Sequence, residues 1–377
     1  MPSTTDRAAR TGATHTTRDR LVWVDVARGL ALVSMMVAHV APTGGPAGIL
    51  NLSEHLTAAL FAALFAALVG VSARLEATRF GLGRALARAL IRAAALLGAA
   101  WLTSLFGAAV VDILTHLAAL TVLMALLAAL PLAVHLVLAL LAGGGGILLV
   151  QTGSGRVVDA LAPAASALGL DPAGLHRWIS FLVVDGPYRL PLLLAWALLG
   201  AVLVRTVHGT TTTTLPRSAR LTGLGWAAGG VALAGIVLAL SRTQTGAMPV
   251  PYTATPAEAL VNTGLVAAAL GRCAAVVPAR VPSGTDLLAV PGAMTLSVYV
   301  AHQAYLGRVL DAGPGPWLDD AGRDDTWFNL AVLILGAILL PLLWRGLVRV
   351  RPFRAGPLEG VVRLVTDPIG RRSRGEH

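Results

Sequence analysis

Apolar residues in this chain arrive in long runs, such as Ala58 to Ser72 and Leu330 to Trp344, separated by short polar stretches. The hydrocarbon core of a bilayer takes about 20 residues of helix at about 1.5 Å each. Reading the runs and their breakers predicts about ten spans, near 21–42, 56–73, 91–110, 113–130, 133–151, 187–206, 220–241, 256–278, 286–308 and 327–348. The expected fold is an all-α, polytopic transmembrane helix bundle over 21–350. Region 152–186 mixes Gly, Pro and Asp with short apolar pieces around Leu161 to Leu170 and Trp178 to Val184. It reads as an external loop containing interfacial helices, with an additional span as the alternative.

Composition agrees with this pattern. Of 377 residues, 56% are hydrophobic and 13% charged, and the mean hydropathy is +0.74. Soluble domains carry about 25% charged residues, so the chain is not composed for water. The single cysteine, Cys273, excludes an intrachain disulfide and a multi-cysteine metal cluster. The nine histidines are scattered without zinc-protease spacing, and no metal site is expected.

Charge then orients the bundle. The net charge is +10, and all 29 basic residues are arginine. On a soluble protein this balance would suggest nucleic acid; here it reads as loop charge beside anionic lipid, with no nucleic-acid partner. Residues 1–20, with Arg7, Arg10, Arg18 and Arg20, read as a disordered cytoplasmic tail and not a cleavable signal. With the N-terminus inside, the internal segments hold four arginines in that tail, five across 74–92, three across 205–220, two across 272–280 and eight across 345–377. That is 22 of the 29. Both termini are therefore expected in the cytoplasm, with 351–377 as a basic cytoplasmic tail. The acidic Asp311, Asp319, Asp320, Asp324 and Asp325 fall on the external side.

Ionisable groups inside spans are costly and mark function by default. The first span offers Asp25, Arg28 and His39. At about 100° per residue, Arg28 lies about 60° and His39 about 40° from Asp25, so the three share a face that must look into protein or a wet cavity. Asp25 and Arg28 are one turn apart, which suits an ion pair. His39 lies about 16 Å further along the axis. It reads either as a general base or acyl acceptor, or as a histidine reaching the interface to pair with a carbonyl. Other polar groups gather at the expected external ends: Asp112 with His116, Glu258 with Asn262, the trio Tyr299, His302 and Gln303, and His55 at the start of the second span. Each alone suits helix-end solvation. Together they suggest an outward-facing polar pocket between helices. Arg84, Arg88 and Arg92 share a helical face and read as a lipid-facing cytoplasmic anchor or as contacts to the phosphates of a cytosolic cofactor.

These residues carry a resemblance. The segment from Arg20 through Val24-Asp25-Val26-Ala27-Arg28-Gly29-Leu30-Ala31-Leu32 to His39 resembles the opening of the heparan-α-glucosaminide N-acetyltransferase catalytic domain and its bacterial relatives. Leu60-Phe61 to Val69-Gly70-Val71-Ser72 is similar to the family's next helix, and Asp112-Ile113-Leu114 to a recurring family tripeptide. Later segments resemble the related YeiB-type membrane proteins: Gly186-Pro187-Tyr188, Tyr252-Thr253-Ala254-Thr255-Pro256, the stretch from Thr295 to His302, and Gly356-Pro357-Leu358-Glu359. The resemblance implies a multi-helix acyltransferase that takes acetyl from cytosolic acetyl-CoA and delivers it across the membrane to a sugar amine or related acceptor, with a histidine involved. Arg28 and His39 are positioned like the Arg and His on the first span of membrane sugar O-acetylases. Two departures matter. The family's histidine precedes the second span, so His39 or His55 can inherit the role, and the usual Tyr-Pro is here Tyr188-Arg189-Leu190-Pro191.

The expected function is thus a plasma-membrane acyltransferase moving acetyl from acyl-CoA to an extracytoplasmic acceptor, such as a sugar. Catalytic candidates are His39, Asp25, Arg28, His55 and Asp112. Substrate-binding candidates are His116, Tyr188, Glu258, Asn262, Tyr299 and His302, and cofactor-binding candidates Arg84 and Arg88. The competing expectation is a transporter or flippase that uses the same polar face without consuming acyl-CoA.

Overall fold

The computed structural model describes residues 21–42, 49–153, 171–208, 217–277, 287–320 and 322–371, with isolated positions between 154 and 170. Every regular element among the described residues is helical. In chain order these are α1 (Val22–Val40), α2 (Ile49–Phe80), α3 (Leu82–Ser104), α4 (Leu114–Leu127) and α5 (Leu132–Thr152). They are followed by α6 (Pro172–Ile179), α7 (Leu190–His208), α8 (Arg217–Thr245) and α9 (Pro256–Val276). The series closes with α10 (Ala289–Ala293), α11 (Thr295–Asp311), α12 (Trp327–Leu347) and α13 (Pro357–Arg371).

All ten expected spans fall on helices, with α10 and α11 sharing one of them. Eight helices are long and apolar enough to cross a bilayer: α1, α2, α3, α5, α7, α8, α9 and α12. The other two are shorter. The 14 residues of α4 span about 21 Å, less than the roughly 30 Å of a hydrocarbon core. Helix α11 has 17 residues and mixed polarity. The third helix begins at Leu82 and not near 91, because Arg84, Arg88 and Arg92 interrupt the apolar window without interrupting the helix. Between 171 and 186 the chain forms only the eight-residue α6 and a π-helical turn, Ser180–Val184. Asp171 starts α6 by accepting from the N–H groups of Ala173 (3.1 Å) and Gly174 (2.8 Å), with Pro172 at the first position.

Helices α1, α2 and α7 form the centre. Ala27, Ala31, Leu32 and Met35 of α1 are fully buried, as are Leu64, Ala66 and Ala67 of α2 and Leu198, Ala201 and Leu203 of α7. The crossing of α2 and α7 is made by two glycines: a Cβ on Gly70 would strike the Ala197 carbonyl, and one on Gly200 the Ala67 carbonyl. Small residues at such crossings let backbones touch, which is how helices associate where lipid removes the hydrophobic drive. The peripheral helices turn leucines outward, including Leu140 and Leu141 on α5, Ile236 on α8, and Leu339 and Leu343 on α12. A surface of this kind is solvated by lipid tails.

Candidate functional site

Polar groups in the bundle collect at two levels along α1. At the Arg28 end, Arg28 pairs with Asp25 (3.0 Å) and donates to Ser72 Oγ on α2 (2.7 Å). Asp25 is buried, while the Arg28 side chain keeps 29% exposure. Local backbone contact shapes this corner. A Cβ on Gly292 of α10 would collide with the Asp25 carbonyl, and one on Gly29 with the Leu288 carbonyl.

Nearby, Glu76 of α2 receives both Arg92 N–H groups, at 2.6 and 2.5 Å, and Arg88 at 3.4 Å. Arg88 is buried, donates to the Thr366 carbonyl of α13, and lies over the Phe80 ring at 4.7 Å. Its guanidinium is thus held by protein groups. Arg84 remains half-buried on α3.

The His39 end holds the larger assembly. His39 lies over His302 of α11 with ring centroids 5.6 Å apart and planes 20° from parallel. Phe61 of α2 meets His39 edge-on at 5.5 Å. On its other side Phe61 contacts Tyr188 at 6.2 Å and Tyr252 at 6.5 Å. Tyr188 continues to His116 of α4 at 6.0 Å, and Tyr299 of α11 packs edge-on against His302 at 4.9 Å. His302, His39, Tyr188 and His116 are therefore joined through Phe61 in one chain of ring contacts, to which Tyr299 adds itself at His302.

Hydrogen bonding separates the members of this assembly. Asp112 lies just before α4: it accepts from the N–H groups of Leu114 (3.1 Å) and Thr115 (3.2 Å), and also from the Tyr299 hydroxyl (3.3 Å). Gln303 donates to the same hydroxyl at 3.3 Å. His116 does not pair with Asp112; its Nε2 is 3.2 Å from the Phe181 carbonyl. Both ring nitrogens of His302, and Nδ1 of His39 and of His116, are buried without a hydrogen-bond partner in the protein. Leaving a buried polar group unpaired costs about 1–3 kcal/mol, so these nitrogens call for polar partners, whether water or another molecule.

An adjoining cleft between α2, α7 and α9 is lined by Tyr188, Arg189, Trp196, Tyr252, Glu258 and Asn262, among others. Glu258 is a brace here: it accepts from the N–H groups of Tyr252 and Ala254, both at 2.6 Å. These two residues have φ of 65° and 53°, the left-handed region that side chains disfavour, and the carboxylate holds them there. Arg189 donates to the carbonyls of Val184 (3.1 Å) and Tyr252 (2.8 Å). Burial, reinforced by Tyr188 and Glu258, pushes the Tyr252 phenol above its usual range, so it faces the cleft as a neutral hydroxyl. Asn262 Oδ1 is buried without a partner.

The expected pocket is therefore divided. Tyr188, Glu258 and Asn262 line the cleft, whereas His39 and His302 lie behind Phe61. Asp25 and Arg28 belong to the other end of the bundle. His55 lies on α2, but its side chain is outside the described residues. Among the described residues, no group of three or more His, Cys, Asp or Glu side chains converges to hold a metal. Ser72, Phe61, Arg189, Trp196 and Tyr252 are additions to the sequence-derived set. All but Trp196 stood within the segments that carry the resemblance, and nothing in their spacing marked them.

Comparison with known proteins adds one finding. Residues 20–184 match the family model described as heparan-alpha-glucosaminide N-acetyltransferase, catalytic. The match covers α1 to α6 and thus Asp25, Arg28, His39, Asp112 and His116; Tyr188, Glu258, Asn262, Tyr299 and His302 lie beyond it. No curated protein matches the chain.

Proposed function

Taking as premise that its first half is of the heparan-alpha-glucosaminide N-acetyltransferase catalytic type, we propose that this multi-pass membrane protein is an acyltransferase. It moves an acetyl group from acetyl-CoA on the cytoplasmic side to a hydroxyl or amine of an acceptor, such as a sugar, on the outer side of the plasma membrane. Both termini are cytoplasmic in this reading, which places the Arg28 end inside and the His39 end outside. Asp25 and Arg28 face the donor, and half-buried Arg84 on α3 is placed to meet its phosphates. The acceptor site is the cleft of Tyr188, Tyr252 and Asn262, whose aromatic and amide groups suit a polyhydroxylated molecule and which has to widen from room for about one water to admit it.

The observation that carries the proposal is the facing pair of half-buried His39 and buried His302, with Nδ1 of His39 and both ring nitrogens of His302 lacking protein partners. An imidazole nitrogen of His39 attacks the thioester carbonyl, the carbon–sulfur bond breaks, and the CoA thiol departs. The acceptor's oxygen or nitrogen then attacks the acyl carbon as its proton passes to His302, and the acyl–imidazole bond breaks.

Radiolabelled acetyl-CoA and the purified protein in vesicles test this. Label is expected on wild-type protein transiently, on His302→Ala persistently, and on His39→Ala not at all. Turnover falls by a factor on the order of 10²–10⁴ in either variant, with membrane insertion intact. His39→Ala at wild-type turnover removes that residue from the reaction, and the same assay on His55→Ala decides between the two histidines. A transporter would instead carry unmodified solute and leave acetyl-CoA unconsumed.

A further inference from the structure

Glu359 stands at the start of α13, the last helix, yet its carboxylate serves another element. Oε1 accepts from the backbone N–H groups of Leu296 (2.8 Å) and Ser297 (3.1 Å), and Oε2 from the Ser297 hydroxyl (2.5 Å). The Ser297 oxygen in turn accepts from the Leu358 N–H at 3.2 Å. Leu296 and Ser297 form the first turn of α11, whose own flanking residue, Met294, supplies no capping side chain. The first N–H groups of a helix have no partner within it, and a carboxylate there also opposes the positive end of the helix dipole. Glu359 thus caps α11 from 62 residues away. The rest of α13 is anchored independently through the Thr366 carbonyl, which receives Arg88.

Helix α11 carries Tyr299 and His302 on its next turns. His302 lies five residues beyond Ser297, or about 7.5 Å along the axis. A helix clamped at its first turn has its axial position and rotation fixed, and so has the ring five residues on. We propose that Glu359 is a positioning residue that sets α11 in register with α1 and thereby holds the His302 ring over His39. A carboxylate at the Arg28 end of the molecule then governs geometry at the His39 end. The consequence for turnover rests on the proposed acyl transfer; the consequence for geometry does not.

The two parts are tested separately on the full chain in nanodiscs. For geometry, cysteines replace His39 and His302 in a Cys273→Ser background, and the rate of linkage by a short bismaleimide is measured. Glu359→Ala slows linkage at least about tenfold, the scale on which ångström displacements act on proximity. Glu359→Gln, which keeps an oxygen for the two N–H groups, restores most of the rate. If Glu359→Ala does not insert, Glu359→Asp, whose shorter arm cannot reach both N–H groups, replaces it. An unchanged rate in the inserted variant overturns the proposal. For turnover, Glu359→Ala lowers kcat at unchanged KM for acetyl-CoA, and Glu359→Gln recovers it. A fall confined to KM, or one that Glu359→Gln does not recover, overturns the link to the reaction. Absence of transfer by the parent protein sinks the acyltransferase reading, while the linkage rates still decide the geometric claim.

Discussion

Asp25 keeps a charge inside an apolar bundle because Arg28, one turn on, answers it at 3.0 Å and is itself steadied by Ser72. Removing one member of such a pair leaves the other without its neighbouring opposite charge, which costs more than the pair contributes. Asp25→Asn is expected to lower stability by about 1–3 kcal/mol, visible as a lower melting temperature in detergent. Arg28→Lys is expected to behave similarly, since a single ammonium does not reproduce the fork that meets Asp25 and Ser72 together. At this scale the sequence was informative for one neighbour and silent for the other. The i,i+3 spacing announces the ion pair, whereas Ser72 is 44 residues away and joins only because α2 packs against α1. The same limit applies to His39. Its helix and face were legible, but nothing in local spacing says that His302 lies over it.

The helices themselves were largely legible, because apolar length is what a bilayer demands and short-range pattern reports it directly. The start of α3 was not: three arginines look like a loop to a hydropathy window, while Glu76 and the Thr366 carbonyl supply the partners that keep Arg88 and Arg92 within a helix. Likewise, the segment expected as a tail contains α13, whose partners on α3 and α11 are far away in sequence. Helix contact also separates glycines that look alike. Gly70→Val drives a side chain into the Ala197 carbonyl and should abolish recovery of folded, detergent-soluble protein. Gly98→Ala, with nothing within 4 Å of the new Cβ, should be silent or gain up to about 1 kcal/mol from helix propensity. Size-exclusion profiles and melting curves of the two variants check the contrast.

For the whole molecule, the proposed orientation rests on arginine bias, and the lone buried cysteine makes it measurable. Cys273 is buried, so a membrane-impermeant maleimide should leave the parent protein unlabelled in intact cells. Asp320→Cys should label at once and Arg354→Cys only after permeabilisation; the reverse order would invert the proposed topology. Between the two polar levels of α1, the face that links Arg28 to His39 is occupied by Leu32, Met35 and Met36, which are 0%, 0% and 1% exposed. The transfer proposed above, from one compartment to the other, would risk short-circuiting the ion gradients that a cell maintains. On α1 these side chains give a water wire nothing to bind over roughly three helical turns, and the thioester arm of the proposed donor has to part them to reach His39. Vesicles bearing the parent protein should therefore hold an imposed pH difference, and those bearing Met35→Asp should dissipate it, as an enclosed pH-sensitive dye would reveal.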